Sequence, residues 1–315
     1  MSVSINASAK AVNKNKIKMD RASQVYTVIV YALVGFITLL LAYPLYFCVI
    51  ASFSDPDAVA MGDTILWFKG FTTEAYTSIL KEKTLLSGYR NSFIYMIFGT
   101  MYNICLTIPA AYVCSKKNMP GHKIILWYFF ITMYVSGGTI PTYIWFKKLG
   151  LVNNPLVMVI GAGVSAYYMI VARQFFMSSI PEALYEAADI DGAGQMRQFV
   201  SIALPLSKPI IAVIMLYYAF GKWNSYYTAL LYLRDQDAWP LQLVLRQILI
   251  ASQTAFSEMA TEINSADEQY LIRKMYMVRA MKYAVIIVAS APMMILYPFV
   301  SKHFTKGIMV GSIKG

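Results

Sequence analysis

Few side chains in this 315-residue sequence have the type and spacing for chemistry, and none forms a catalytic set. His122 and His303 stand alone, each close to the end of an apolar run. No H-E-x-x-H pair occurs, and no aspartate pair lies within an apolar run. Cys48, Cys105 and Cys114 lie in or at the edge of such runs without metal-ligand spacing, and read as small packing residues. No G-x-x-x-x-G-K-[ST] phosphate loop is present. Two features remain. One is EALYEAADIDGAGQMRQFVSIALPLSKP, Glu182 to Pro209, which carries Glu182, Glu186, Asp189, Asp191 and Arg197 between greasy segments. The other is Lys222, in FGKWNSYYTALLYL, the one charged residue inside an apolar run. Neither points to bond making. The first offers small side chains, a corner and a few charges for docking another surface. The second offers a cation, aromatic faces and an amide.

Composition sets the elements that hold these features. The chain is 58% hydrophobic and 14% charged, against about a quarter charged for a soluble domain. Apolar runs lie at about 26–51, 91–115, 124–146, 155–172, 209–233 and 283–301. Each approaches the roughly 20 residues that carry a helix across a bilayer core. The expected fold is an all-α membrane protein with six transmembrane helices. A basic tail, 1–25, precedes a transmembrane domain, 26–306, with a polar hairpin at 178–208 and outer loops at 52–90 and 234–282; a tail, 307–315, follows. The first run is too long for a signal-peptide core. Pro44, Pro109, Pro141, Pro292 and Pro298 fall inside spans, where neighbouring helices re-satisfy freed carbonyls. Gly137-Gly138 and Gly161-Ala162-Gly163 allow close helix approach or local unwinding.

The formal charge of +11 flanks the runs and makes no patch with aromatic readers, which argues against nucleic acid. The basic N-terminal tail, Lys116, Lys117 and Lys123, and Lys302, Lys306 and Lys314 place both termini on the cytoplasmic side. Lys147 and Lys148 run against that bias. The hairpin then lies in the cytoplasm. Pro181 suits a first helical turn, Ser178 or Ser179 could cap it, and Glu182 and Glu186 sit near its positive end. Ala183, Leu184, Ala187 and Ala188 give a small-residue face. Asp189-Ile190-Asp191-Gly192 reads as a stop, with Gly192 free to take positive φ. A second helix, 195–203, ends at Leu204-Pro205.

Glu186-Ala187-Ala188, three residues, Gly192, nine residues, Ile202, one residue and Leu204-Pro205 together resemble the EAA motif of ABC-importer channel subunits. PTYIWFKKLGLVNNP, WNSYYTALLYL, WPLQLVLRQIL and FTKGIMVGSIKG resemble the carbohydrate-uptake branch, and within it importers of complex oligosaccharides. The resemblance runs from about residue 26 to 315. It implies a type I importer in the cell membrane: a second, homologous permease subunit, two ATPase subunits that bind the ATP and Mg, an extracellular binding protein and an oligosaccharide substrate. It implies no cofactor and no enzyme activity in this chain itself. Glu182, Glu186, Ala187, Ala188, Asp189, Gly192, Ile202, Leu204 and Pro205 would form the coupling helix that rests on an ATPase.

The solute path is read from Lys222, Trp223, Asn224 and Tyr227, with Tyr134, Tyr167 and Tyr168 supplying similar chemistry from spans three and four. The competing reading has Lys222 snorkelling outward and Trp223, Tyr226 and Tyr227 forming an interfacial belt. The resemblance also implies that the loop holding RDQDAWPLQ reaches towards the binding protein. Residues 252–282 are polar, and Leu271, Met275 and Val278 at helical spacing predict a surface helix there. The alternatives are the same importer architecture carrying a peptide or amino acid, and an ion-coupled carrier. The latter would show paired ionisable residues near the midplane.

Overall fold

The computed structural model describes residues 20–81, 83–261 and 268–311, and helix is the only regular structure among them. Two compact units divide the chain, one ending at Phe47 and the other beginning at Cys48. Most of the first is α1, which spans Arg21–Ser52. Tyr31, Leu39 and Leu45 stand exposed along it, as suits a helix whose solvent is lipid.

The second unit opens with α2 (Pro56–Ala60) and α3 (Glu74–Leu80). Asp55 caps α2 by accepting from the Asp57 amide at 3.1 Å. Its axis is α4, Lys83–Ser115, against which α7, α8, α12 and α14 pack. α4 begins inside the expected outer loop because it has a partner there. A Cβ on Gly88 would stand 3.2 Å from the Leu241 Cα, so the two backbones touch.

The expected third span is two helices, α5 (His122–Tyr134) and α6 (Thr139–Lys148), whose axes differ by 116°. Gly137-Gly138 is the reason: the helix ends at Val135 in extended backbone and Gly138 takes φ +85°. The expected fourth span is α7 (Leu156–Ile160) and α8 (Ala166–Ser179), broken across Gly161–Ser165. Ser165 restarts the helix by accepting from the Tyr168 amide at 3.5 Å.

After α8 come α9 (Glu182–Ile190), α10 (Gln195–Gln198), a π turn over Phe199–Ala203, α11 (Leu204–Leu206) and α12 (Lys208–Trp223). The expected stop at Leu204-Pro205 is corrected. Pro205 lies inside continuing helical backbone, and the chain bends at Ser207. Proline has no N–H to give the carbonyl four residues earlier. The wider turn before it absorbs the mismatch, with the Leu204 amide bonded to Phe199 O.

α13 (Tyr226–Tyr232) is separated from α12 by Asn224 and Ser225. α14, Leu241–Thr261, occupies what was expected to be outer loop; Leu241, Leu243 and Leu245 are buried on it. The expected surface helix in 252–282 and the expected sixth span are one helix, α15, Glu268–Gly311. No glycine or proline interrupts residues 268–282. Met275 and Ala280 are buried there, and α15 packs against α2 and α3. Among the described residues, three helices are long and apolar enough to cross a membrane, or five if each bent pair counts once.

Candidate functional site

The polar hairpin folds as an elbow. α8 runs through Ser179, and the Ser178 hydroxyl donates back to Gln174 O at 2.9 Å. The serine cap expected for α9 is therefore not made, and Pro181 stands at that position without a side-chain bond. At the far end the Asp191, Gly192 and Ala193 amides donate to Ala187 O, Asp189 O and Ala188 O at 3.0, 3.1 and 2.8 Å. That closure requires the left-handed backbone of Gly192, φ +71°. Gln198, buried, reaches back from the second arm. Its Nε2 donates to an Asp189 carboxylate oxygen and, at 2.9 Å, to Ala193 O.

The outer face of the elbow is unpartnered among the described residues: Leu184, Met196 and Val200 are exposed, and Ile190 at the tip is 87% exposed. Glu182, Glu186, Ala187, Asp189 and Pro205 are also exposed, Ala188 is buried, and Ile202 and Leu204 are half-buried. The inner face converges on α4. Tyr112 packs its ring against Phe199 at 4.9 Å, Phe176 at 5.8 Å and Tyr185 at 6.3 Å. The Lys116 ammonium sits 3.3 Å from the Tyr185 ring centroid, a cation–π contact between the turn after α4 and the first arm. Burial, with the neighbouring Tyr112, pushes the Tyr185 phenol up to about 12. Burial also pulls the Lys116 ammonium below its usual range, opposed by Asp189 and Glu182.

A cavity of about 520 Å³ lies deeper, where the two broken helices meet α4 and α12. Asn103, Ser136, Thr139, Thr142, Tyr168, Tyr217, Tyr218, Lys222, Ser225, Tyr227 and Thr228 give it polar and aromatic walls. Breaking a helix at membrane depth frees carbonyls that need donors, and this chain supplies them from side chains. Lys222, 8% exposed, donates to Met158 O at 2.8 Å and Val159 O at 2.9 Å. Asn103 donates to Ala162 O and Gly163 O, both at 2.7 Å. The Tyr218 hydroxyl accepts from the Ser165 amide at 3.0 Å and pairs with Thr107 at 2.7 Å. The Lys222 stem crosses α4 at Gly99, where a Cβ would lie 2.7 Å from Lys222 Cε.

Of the path residues read from sequence, Lys222, Tyr168 and Tyr227 line this cavity. Lys222 turns inward rather than snorkelling out. Trp223 is 1% exposed and packs beside Phe93, its indole N–H donating to Ala289 O at 3.2 Å, so it belongs to the interface between α12 and α15. Asn224 bonds back to Phe220 O at 3.0 Å and borders a separate cavity. Tyr134 is exposed at the end of α5, and Tyr167 is exposed with its ring edge-on to Tyr168. Asn103 and Gln198 fall outside the expected site because neither lies in the Lys222 stretch, among the tyrosines of spans three and four, or at a named position of the EAA pattern. Asn103, one of two carboxamides within the run 91–115, was the available signal. The stretch 236–241 is bonded to the first half of α4: Asn91 donates to Asp237 O at 2.6 Å, Tyr95 to Ala238 O at 2.8 Å, and Leu241 N donates to the Ser92 hydroxyl at 2.8 Å.

A helical chain with an exposed elbow and a polar cavity beside broken helices has the build of a membrane transport subunit. The model of the binding-protein-dependent transport system inner membrane component family matches residues 84–310, and the chain belongs to that family. Protein LplC of Bacillus subtilis (strain 168) is 34% identical over 95% of this chain and 97% of its own. The polygalacturonan/rhamnogalacturonan transport system permease protein YtcP of the same organism is 33% identical over 93% of this chain and 99% of its own. The crystal structure of a bacterial ABC transporter involved in the import of the acidic polysaccharide alginate superposes with TM-score 0.79 at 28% identity, over 91% of this chain and 99% of that chain.

Proposed function

We propose that this chain is the channel-forming permease subunit of an ATP-driven oligosaccharide importer, worked by a separate ATPase through its elbow. The observation that carries the reading is the elbow itself. The residues of the EAA pattern build a corner braced from within by Gln198 and presenting an unpartnered apolar tip at Ile190. A lever of this kind transmits a rigid-body push and needs no catalytic group. Two ATPase subunits, a homologous second permease and an extracellular binding protein complete the assembly. The family and the named relatives support this.

The reading includes six passages with both ends of the chain in the cytoplasm. Broken helices are compatible with it. α5, 13 residues, is about 20 Å long at about 1.5 Å per residue, against about 30 Å of hydrocarbon, so the residues that follow Tyr134 share the third passage. An oligosaccharide suits the cavity. Tyrosine faces stack on C–H edges of sugars, while threonine, serine and asparagine groups meet their hydroxyls. The polysaccharide names carried by a relative and by the matching structure support the same class. A peptide or amino acid fits less well, because among the described residues no carboxylate lines the cavity to meet an amino group.

The test is a cysteine at the elbow tip. In a background without the three native cysteines, Ile190→Cys in the assembled importer should form a disulfide to a cysteine placed in the ATPase groove. Labelling of that cysteine by a membrane-impermeant reagent from outside intact cells, with no cross-link, overturns the reading.

A further inference from the structure

A second polar feature lies apart from the cavity and the elbow. Lys117, His122, Lys123 and Arg173 line a pocket of about 370 Å³ together with Leu126 and Trp127. It sits where the turn after α4 meets α8, at the end of the molecule that carries the elbow; Lys116, the residue before Lys117, lies on the elbow's Tyr185. No carboxylate lines it, and none of its cations forms an ion pair among the described residues. Arg173 is fixed in the wall by its Nε bond to Cys114 O at 2.8 Å, and among the described residues its terminal nitrogens make no hydrogen bond. His122 Nδ1 is buried without a partner among the described residues. The pocket also receives the first turn of the 13-residue α5, whose preceding Gly121 has no side chain to cap it. Its amides and dipole add to the positive field.

Cations held together without counter-charge repel one another unless an anion joins them. The neighbouring surface says which anion. From Trp127 the exposed side chains of α5 continue as Tyr128 and Ile131, an apolar strip leading away from the charges. A free phosphate ion would use the charges and leave that strip bare. A phospholipid would use both.

We propose that this pocket binds the phosphate of an anionic phospholipid, with the acyl chains lying along the Trp127–Ile131 strip of α5. The arrangement, basic groups under an aromatic at the end of a membrane helix, is that of headgroup recognition on a cytoplasmic face. A bound lipid would tie α5 to α8 beside the elbow. The proposal stands whatever solute the chain carries.

The experiment is native mass spectrometry of the full chain in detergent, titrated separately with phosphatidylglycerol and phosphatidylcholine. The test variant is Lys117→Gln with Lys123→Gln, which leaves the Arg173 bond intact. The control removes as many charges elsewhere, by Lys147→Gln with Lys148→Gln. Phosphatidylglycerol should be retained over phosphatidylcholine. Its retention should weaken about 25-fold in the pocket variant, about fivefold per cation, and stay unchanged in the control. Equal retention of both lipids, or equal loss in the control, overturns the site. Displacement of phosphatidylglycerol by equimolar inorganic phosphate overturns the lipid assignment in favour of a bare anion.

Discussion

Replacing Lys222 by methionine tests whether α12 holds the break between α7 and α8. Methionine keeps an unbranched stem and removes the ammonium. What is lost is the pair of charge-assisted bonds to Met158 O and Val159 O. Such bonds contribute about 1.5–3 kcal/mol each. Two terms reduce the total. The buried ammonium no longer has to be kept out of water, a relief of several kcal/mol at most. Water in the adjoining cavity can also return to the two carbonyls. The net expectation is a loss of about 1–3 kcal/mol. Gly99 gives an independent route to the same joint. A methyl there would stand 2.7 and 2.9 Å from Lys222 Cε and Cδ and would displace the ammonium from its carbonyls. Gly99→Ala should thus mimic Lys222→Met. In a Lys222→Ala background, where the stem is gone, Gly99→Ala should be neutral or stabilising, a strong coupling in a double-mutant cycle. The assay is thermal unfolding of the purified chain in detergent, run beside uptake in cells. Wild-type stability and uptake for Lys222→Met, or additivity between positions 99 and 222, would refute the reasoning.

Two further outcomes concern the elbow. Gly192→Val puts a β-branched residue at φ +71°, which costs about 1–2 kcal/mol and opens the corner; uptake should fall severely while the chain still reaches the membrane, and normal uptake counts against the lever. Gln198→Leu removes the donor that joins Asp189 to Ala193 O; substrate-stimulated ATP hydrolysis by the assembled importer should drop, whereas Asp189→Asn, which keeps an accepting oxygen, should change it little. Equal effects from both would mean that the bond does not brace the elbow.

The sequence alone determined where the chain is greasy, where it is hinged and which corner needs glycine. Apolar runs are a property of residue type, so the position of α1 and the C-terminal end of α4 followed closely. Gly192 was legible because it follows a helical stretch that closes on Asp189-Ile190-Asp191, and glycine takes positive φ without steric cost. The unwinding at Gly137-Gly138 was visible only as an option, since a glycine pair serves close packing as readily as a break. What the tertiary structure decided is who satisfies whom. Lys222 could snorkel or turn inward. Only the breaks in α7 and α8, and the gap at Gly99, offer it carbonyls and room to turn inward. Trp223 lies one residue further on, about 100° round the helix, and so faces the core instead of the cavity. Asn103 and Gln198 lack any charge to mark them, and they matter because of carbonyls and a carboxylate contributed by other parts of the fold. A one-dimensional pattern records which groups want partners; their distances, which exist only in the folded chain, select the partner.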